Sequence, residues 1–157
     1  MNGDRLDDIV TLDEVKNIKV FFQNPGANFS LQDYGLLAGF NWGMAVADLD
    51  HDGWSDIITG GAYDQIKFSR LQADGSLLND ILNGPSIFVQ AVSFADIDND
   101  GFLDAFLCHD DGPSSIYIND EQGGLFFDPS YPINKTFGND ESNSGNYGCV
   151  WSDIDSD

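Results

Sequence analysis

Basic residues are scarce in this sequence. Lys and Arg together number six in 157 residues, against 27 acidic residues, and the net charge is −21. Phosphate backbones are bound by clustered cations, so nucleic acid is a disfavoured partner, and so is an anionic membrane surface. No apolar run approaches the ~20 residues that span a bilayer as a helix, so no membrane insertion is expected. The opening residues, MNGDRLDDIV, carry neither a basic segment nor an apolar core, so no signal peptide is visible in them. Catalytic signatures are missing as well: there is no H-E-x-x-H, no G-x-S-x-G and no P-loop. Glutamate is nearly absent. Only Glu14, Glu121 and Glu141 are Glu, and the other 24 acids are Asp. Glu favours helix surfaces, whereas Asp favours turns, caps and oxygen-rich metal loops. What is present is 41% hydrophobic and 13% aromatic residues in the length of one ordinary domain, enough to bury a core.

The Asp residues are periodic. Asp48-Leu49-Asp50-His51-Asp52-Gly53-Trp54-Ser55-Asp56 recurs 48 residues later as Asp96-Ile97-Asp98-Asn99-Asp100-Gly101-Phe102-Leu103-Asp104. Incomplete copies occupy the two ends, Asn2 to Asp8 and Asp153-Ile154-Asp155-Ser156-Asp157. The repeat periods run about 4–52, 52–100 and 100–157. The last is longer through an Asn-, Ser- and Gly-rich insertion around 134–147 that reads as a loop. The segments between the loops repeat too. Asn17 to Phe21, Gln65 to Ser69 and Ser115 to Asn119 align, and each is followed by a turn glycine, at Gly26, Gly75 or Gly124. Apolar Phe29, Leu77 and Phe126 follow those turns.

Before each loop, larger apolar residues alternate with small ones. The pairs are Met44 and Val46, Val92 and Phe94, and Cys149 and Trp151, within the aligned stretches 43–47, 91–95 and 148–152. Period-two alternation predicts a strand with its bulky side inward and its small side against a neighbouring layer. Four short strands in about 48 residues is one blade of a β-propeller, so the expected fold is all-β: a partial propeller of about three four-stranded blades over residues 1–157. The weakest strand assignment is Thr11 to Lys19, where Leu12, Val15 and Ile18 also fit a helical turn.

Asp48, Asp50, Asp52 and Asp56 gather carboxylates in a tight turn. At ~4 Å each pair repels by roughly 1 kcal/mol in water and ~4 at an effective dielectric of 20. A cation is needed to hold them together. An all-oxygen set selects a hard ion, and the irregular loop favours Ca²⁺ over Mg²⁺. Asp96, Asp98, Asp100 and Asp104 repeat the set. This is not an EF-hand: position twelve is Thr59 or Leu107 rather than Glu, and the flanks read as strands. The seventh residue, Trp54 or Phe102, offers its backbone carbonyl to the ion and leaves its side chain to pack. Asn2, Asp4 and Asp8, and Asp153, Asp155 and Asp157, would be incomplete ligand sets.

Residues Gly43 to Ala62 and Ala91 to Leu107 resemble the FG-GAP / VCBS repeat of integrin-α-like β-propellers. The run from Ile116 to Phe126 resembles the strand-turn-strand that follows the loop in bacterial members. The resemblance implies calcium at the eight Asp residues of the two complete loops. It implies a propeller, usually of seven blades, in secreted or cell-surface proteins, where it serves adhesion, binding of a protein or glycan ligand, or support of an attached domain. Three periods cannot close such a ring, so the chain reads as a fragment of a larger protein whose neighbouring blades lie outside it. The expected function is therefore a non-enzymatic, calcium-binding extracellular scaffold. The rival reading is part of a secreted carbohydrate-active enzyme. Glycoside chemistry needs a carboxylic acid in an apolar cleft, and every clustered Asp here is already assigned to a metal loop.

The remaining reactive residues read as structural. Cys108 and Cys149, 41 residues apart at unmatched repeat positions, read as buried free thiols. His51 reads as solvent-facing, His109 as a loop-surface side chain, and Trp42, Trp54 and Trp151 as packing residues rather than a sugar platform.

Overall fold

A computed structural model describes residues 1–37, 39–132 and 146–152. These contain eleven strands: β1 (Ile9–Leu12), β2 (Asn17–Asn24), β3 (Asn28–Leu36), β4 (Gly43–Ala47), β5 (Asp56–Gly60), β6 (Ile66–Leu71), β7 (Leu77–Leu82), β8 (Val89–Ala95), β9 (Asp104–His109), β10 (Ser115–Asn119) and β11 (Leu125–Phe126). They form three antiparallel sheets, ordered β1-β2-β3, β4-β5-β6-β7 and β8-β9-β10-β11. The chain is all-β, and each sheet is a meander of the kind that makes a propeller blade. The three sheets do not close a ring. Among the described residues the first has counterparts of β5, β6 and β7 but none of β4. The alternative helical turn at 11–19 is overturned: Leu12 ends β1, Ile18 lies in β2, and Val15 sits exposed in the turn between them.

The ladders fix the repeat at 48 residues throughout. Val10, Ile58 and Phe106 face Val20, Phe68 and Ile116. This corrects the sequence alignment of the third strand. Ser115–Asn119 corresponds to Lys67–Leu71, two residues on from the match suggested by Gln65 to Ser69. Likewise Leu125, not Phe126, takes the place of Leu77, because Leu71 faces Leu77 and Asn119 faces Leu125. Gly123, not Gly124, matches Gly75, and both have φ +81°. A slip of two residues leaves every side chain on its original face, so alternation alone cannot detect it.

Central strands are apolar on both faces because both faces are covered. Ile57 packs with Ile18 and Val20 of the first sheet and with Leu37 just beyond β3. Its neighbour Ile58 packs the other way, with Val89, Ala105, Leu107 and Tyr117 of the third. The small side of β4 performs as its pattern predicts. A Cβ on Gly43 would stand 2.9 Å from Val89 Cγ1, and one on Gly60 2.6 Å from Val89 Cγ2, so only glycine lets the third sheet approach this closely. The bulky side does so only in part. Met44 packs against the first sheet, but Val46 is 37% exposed, since that sheet has no counterpart of β4 to cover it. Residues 148–152 are not a strand, because among the described residues none supplies a ladder partner.

The loop backbone repeats as faithfully as the strands. Gly3, His51 and Asn99, 48 residues apart, have φ of +70°, +59° and +61°, and Arg5, Gly53 and Gly101 have +67°, +88° and +94°. Glycine suits this left-handed region, and Arg5 takes it at a cost. Arg5→Gly is expected to stabilise the fold by about 0.5–1 kcal/mol. Gly53→Ala, whose new Cβ would meet nothing within 4 Å, is expected to cost about 1 kcal/mol through backbone strain alone. Urea midpoints of the two variants measure both; equal midpoints would remove the strain argument.

Candidate metal loops

Each acidic loop joins the first strand of its sheet to the second, β4 to β5 and β8 to β9. Its backbone is tied down by its own carboxylates, and both loops follow one plan. The first Asp accepts from the glycine amide: Gly53 N donates to Asp48 Oδ2 at 3.0 Å, and Gly101 N to Asp96 Oδ2 at 2.9 Å. The fifth-position Asp accepts from the seventh residue, Trp54 N to Asp52 Oδ1 at 2.7 Å and Phe102 N to Asp100 Oδ1 at 2.8 Å. The ninth-position Asp reaches back to the second residue, Leu49 N to Asp56 Oδ2 at 3.2 Å and Ile97 N to Asp104 Oδ2 at 2.9 Å. These bonds leave the remaining carboxylate oxygens to converge.

In the first complete loop, oxygens of Asp48, Asp50 and Asp52 lie within 4.8 Å of one another. In the second, those of Asp96, Asp98 and Asp104 do so. Asp56 and Asp100 lie outside these two groups, although they accept from the Leu49 and Phe102 amides as Asp104 and Asp52 accept from their counterparts. The two loops between them therefore use the first, third, fifth and ninth positions. Buried Asp48 Oδ1 has no hydrogen-bond partner. An unpaired carboxylate oxygen out of water is costly unless a cation takes its lone pairs, so this all-oxygen donor set fits a hard ion. Burial pushes the Asp56 carboxyl up to about 7, against the opposing Leu49 amide, and the charges of Asp50, Asp52 and Asp48 add to the rise. Burial also raises Asp104, with the amides of Asn119 and Ile97 opposing it and Asp98 and Asp100 adding to it.

The ring at the seventh position packs, as its place in the loop suggests. Phe102 stacks on His51 of the preceding loop, with centroids 4.7 Å apart at 16°. His51 is exposed, and Trp54 is half-buried beside Phe22 and Tyr34. Asn2, Asp4 and Asp8 keep the loop's hydrogen bonds without forming a three-carboxylate cluster. Leu6 N donates to Asp4 Oδ1 at 2.9 Å, and the amine of Met1, 48 residues before Leu49, donates to Asp8 Oδ2 at 2.7 Å. Asn2 Nδ2 donates to Asp4 Oδ2 at 3.1 Å. Asp153, Asp155 and Asp157 lie outside the described residues, as does most of the 134–147 insertion.

Asn119 was not legible as a loop residue. Its side-chain amide donates to Leu49 O at 2.9 Å and to Leu103 O at 3.1 Å, joining the two complete loops. Its own N–H donates to Asp104 Oδ1 at 2.8 Å, and its Oδ1 accepts from Glu121 N and Gly123 N. In the first sheet Gln23 N donates equivalently to Asp8 Oδ1 at 2.8 Å. The register slip concealed this, because it paired Asn119 with Ser69 and Phe21 rather than with Leu71 and Gln23. Asn119→Ala is expected to cost about 2 kcal/mol, read as a lower urea midpoint, since buried carbonyls and amides lose their partner together.

Other expectations change. His109 is buried at the end of β9, not on a loop surface. Its Nδ1 accepts from Asp111 N at 3.2 Å, and burial holds the ring below the usual histidine range against the opposing charges of Asp111 and Asp110. An acceptor Nδ1 is unprotonated, so the nearby Asp111 carboxylate makes no ion pair with it; that carboxylate takes the Tyr63 hydroxyl instead. Trp42 and Trp151 pack only at the surface: both are exposed, Trp42 stacked on Phe40 and Trp151 edge-on to Phe106.

A family model of FG-GAP-like repeats matches residues 1–59 and again 48–107. The chain belongs to the FG-GAP-like repeat family. The two matches end 48 residues apart, at 59 and 107, which is the period of the ladders. Each therefore runs to the same point in β5 and β9. A comparison with curated proteins gives no match. Among the described residues of this FG-GAP-like chain, no helix is long and apolar enough to cross a membrane.

Proposed function

We propose that this chain is a calcium-binding repeat module of an extracellular protein, a scaffold that presents a surface to a protein or glycan ligand. FG-GAP-like repeats suggest the extracellular setting. The observation that carries the metal assignment is the buried, unpartnered Asp48 Oδ1 within a cluster of three convergent carboxylates. Asp48, Asp50, Asp52 and Asp56 would hold one ion and Asp96, Asp98, Asp100 and Asp104 another, with the backbone carbonyls of Trp54 and Phe102 as the expected seventh-position ligands. Calcium, when bound, supplies positive charge that offsets the repulsion among these oxygens. The protein's own part is to pre-set the loop. Left-handed residues at the fourth and sixth positions and the carboxylate-to-amide bonds hold the acids in place before any ion arrives.

Titration calorimetry tests the reading directly. Two calcium ions per chain are expected, with Asp50→Asn and Asp98→Asn each removing one of them. No heat and no saturation would refute it. A polysaccharide screen separates scaffold from enzyme: saturable binding without turnover supports the scaffold, and turnover overturns it.

A further inference from the structure

Two cysteines that the repeat frame places at unrelated positions meet on the face of the third sheet turned away from the second. Cys108 is fully buried in β9, and Cys149, in segment 146–152, is half-buried. Both belong to one apolar cluster with Phe106, Ile116 and Ile118. The segment is pinned there at both ends. Asn146 N donates to His109 O at 2.8 Å, and its side-chain amide donates to Ser114 Oγ at 2.9 Å. Trp151 packs edge-on to Phe106 with centroids 5.7 Å apart, and its indole N–H donates to Ser93 Oγ at 3.1 Å. Ser93 Oγ lies 2.6 Å from Cys149 Sγ. Cys149 packs directly against the buried cluster that contains Cys108.

The repeat explains why this placement is specific. Val92 and Phe94 of β8 pack into the cluster that contains Ile58 of the second sheet. Cys149 and Trp151 align with those two residues, and Phe106 is the 48-residue counterpart of Ile58. The segment therefore seats on the third sheet as β8 seats on the second. On that face Cys108 stands where the second sheet has Gly60, so the third sheet offers a thiol where the second offers no side chain.

We propose that Cys108 and Cys149 are a dithiol pair that closes to a disulfide, cross-linking segment 146–152 to β9. The proposal does not depend on the metal loops. The oxidant is an external disulfide such as glutathione disulfide. Cys149, the more accessible, attacks as its thiolate, forming a mixed disulfide and releasing one glutathione thiolate. Cys108 then gives up its proton and attacks the Cys149 sulfur, releasing the second glutathione. Two protein thiols are oxidised, and one glutathione disulfide is reduced to two glutathiones. Burial pushes the Cys108 thiol up to about 12, with Cys149 adding to the rise, so the second step is the slow one.

The cross-link would shorten the denatured chain by a loop of about 40 residues, which raises the melting temperature by roughly 10 °C in the chain-entropy account. The test equilibrates the whole chain with reduced and oxidised glutathione, natively and again in denaturant. Intact mass reads the loss of two hydrogens, and peptide mapping identifies the Cys108–Cys149 link. The expected result is an equilibrium constant for closure at least ~100-fold larger in the native state. Cys108→Ser should stop the reaction at glutathione on Cys149, and Cys149→Ser should leave native Cys108 unmodified. A native constant no larger than that in denaturant, or glutathione persisting on Cys149 of the unmutated chain, overturns the proposal.

Discussion

Calcium is expected to raise the melting temperature of this protein by roughly 10 °C, and a chelator to reverse the rise. At calcium concentrations ~20-fold above Kd, a site present only in the folded state contributes about 1.8 kcal/mol by mass action, so two sites contribute about 3.6. For a chain of this length each kcal/mol moves the midpoint by roughly 2–4 °C. Monovalent salt at matched ionic strength should do far less, because screening weakens repulsion between exposed acids but does not enter a cluster whose back wall is buried. Magnesium should fall between the two, since it gives up its own waters reluctantly and demands a stricter geometry than these irregular loops offer. A melting curve that is the same in calcium and in chelator would mean that the carboxylate-to-amide bonds alone hold the loops, and the metal assignment would fail.

The acidic loops and strand order were legible because they depend on local chemistry. Alternating residues such as Met44, Ala45 and Val46 mark a strand within five positions, and the spacing of Asp48, Asp50, Asp52 and Asp56 marks a loop within nine. What the sequence hid depends on partners far along the chain. The third-strand register could not be read, because a two-residue slip conserves every face; only the pairing of Ile116 with Phe106 fixes it. Asn119 was hidden behind the same slip. His109 looked like a loop residue beside Asp110, Asp111 and Gly112, yet β9 extends to reach it and Tyr63 packs edge-on to its ring. The meeting of Cys108 with Cys149 was hidden because it is a contact between a sheet and a segment docked on it. No spacing within one repeat reports such a contact.

Within one loop, two aspartates should fail in different ways. Asp104 is fully buried and takes two backbone donors, Ile97 N at 2.9 Å and Asn119 N at 2.8 Å. Asp98 belongs to the same carboxylate cluster but is exposed. Asp104→Ala leaves one buried and one part-buried N–H group without an acceptor, each costing about 1–3 kcal/mol, while some of the cost of burying the carboxylate is recovered. A net loss of roughly 3 kcal/mol is expected, and it should appear in chelator as well as in calcium. Asp98→Asn removes one negative charge from a repelling set and no backbone acceptor. In chelator it should be neutral or slightly stabilising, while in calcium it should lose about half of the wild-type gain, the share of one site out of two. Urea midpoints of both variants under both conditions give the four numbers needed. The ninth-position carboxylate is thus assigned a structural duty that precedes metal binding, and the third-position carboxylate a duty that exists only with the ion. If Asp104→Ala is no less stable than Asp98→Asn in chelator, the returning carboxylate does not organise the loop, and the order of dependence is reversed.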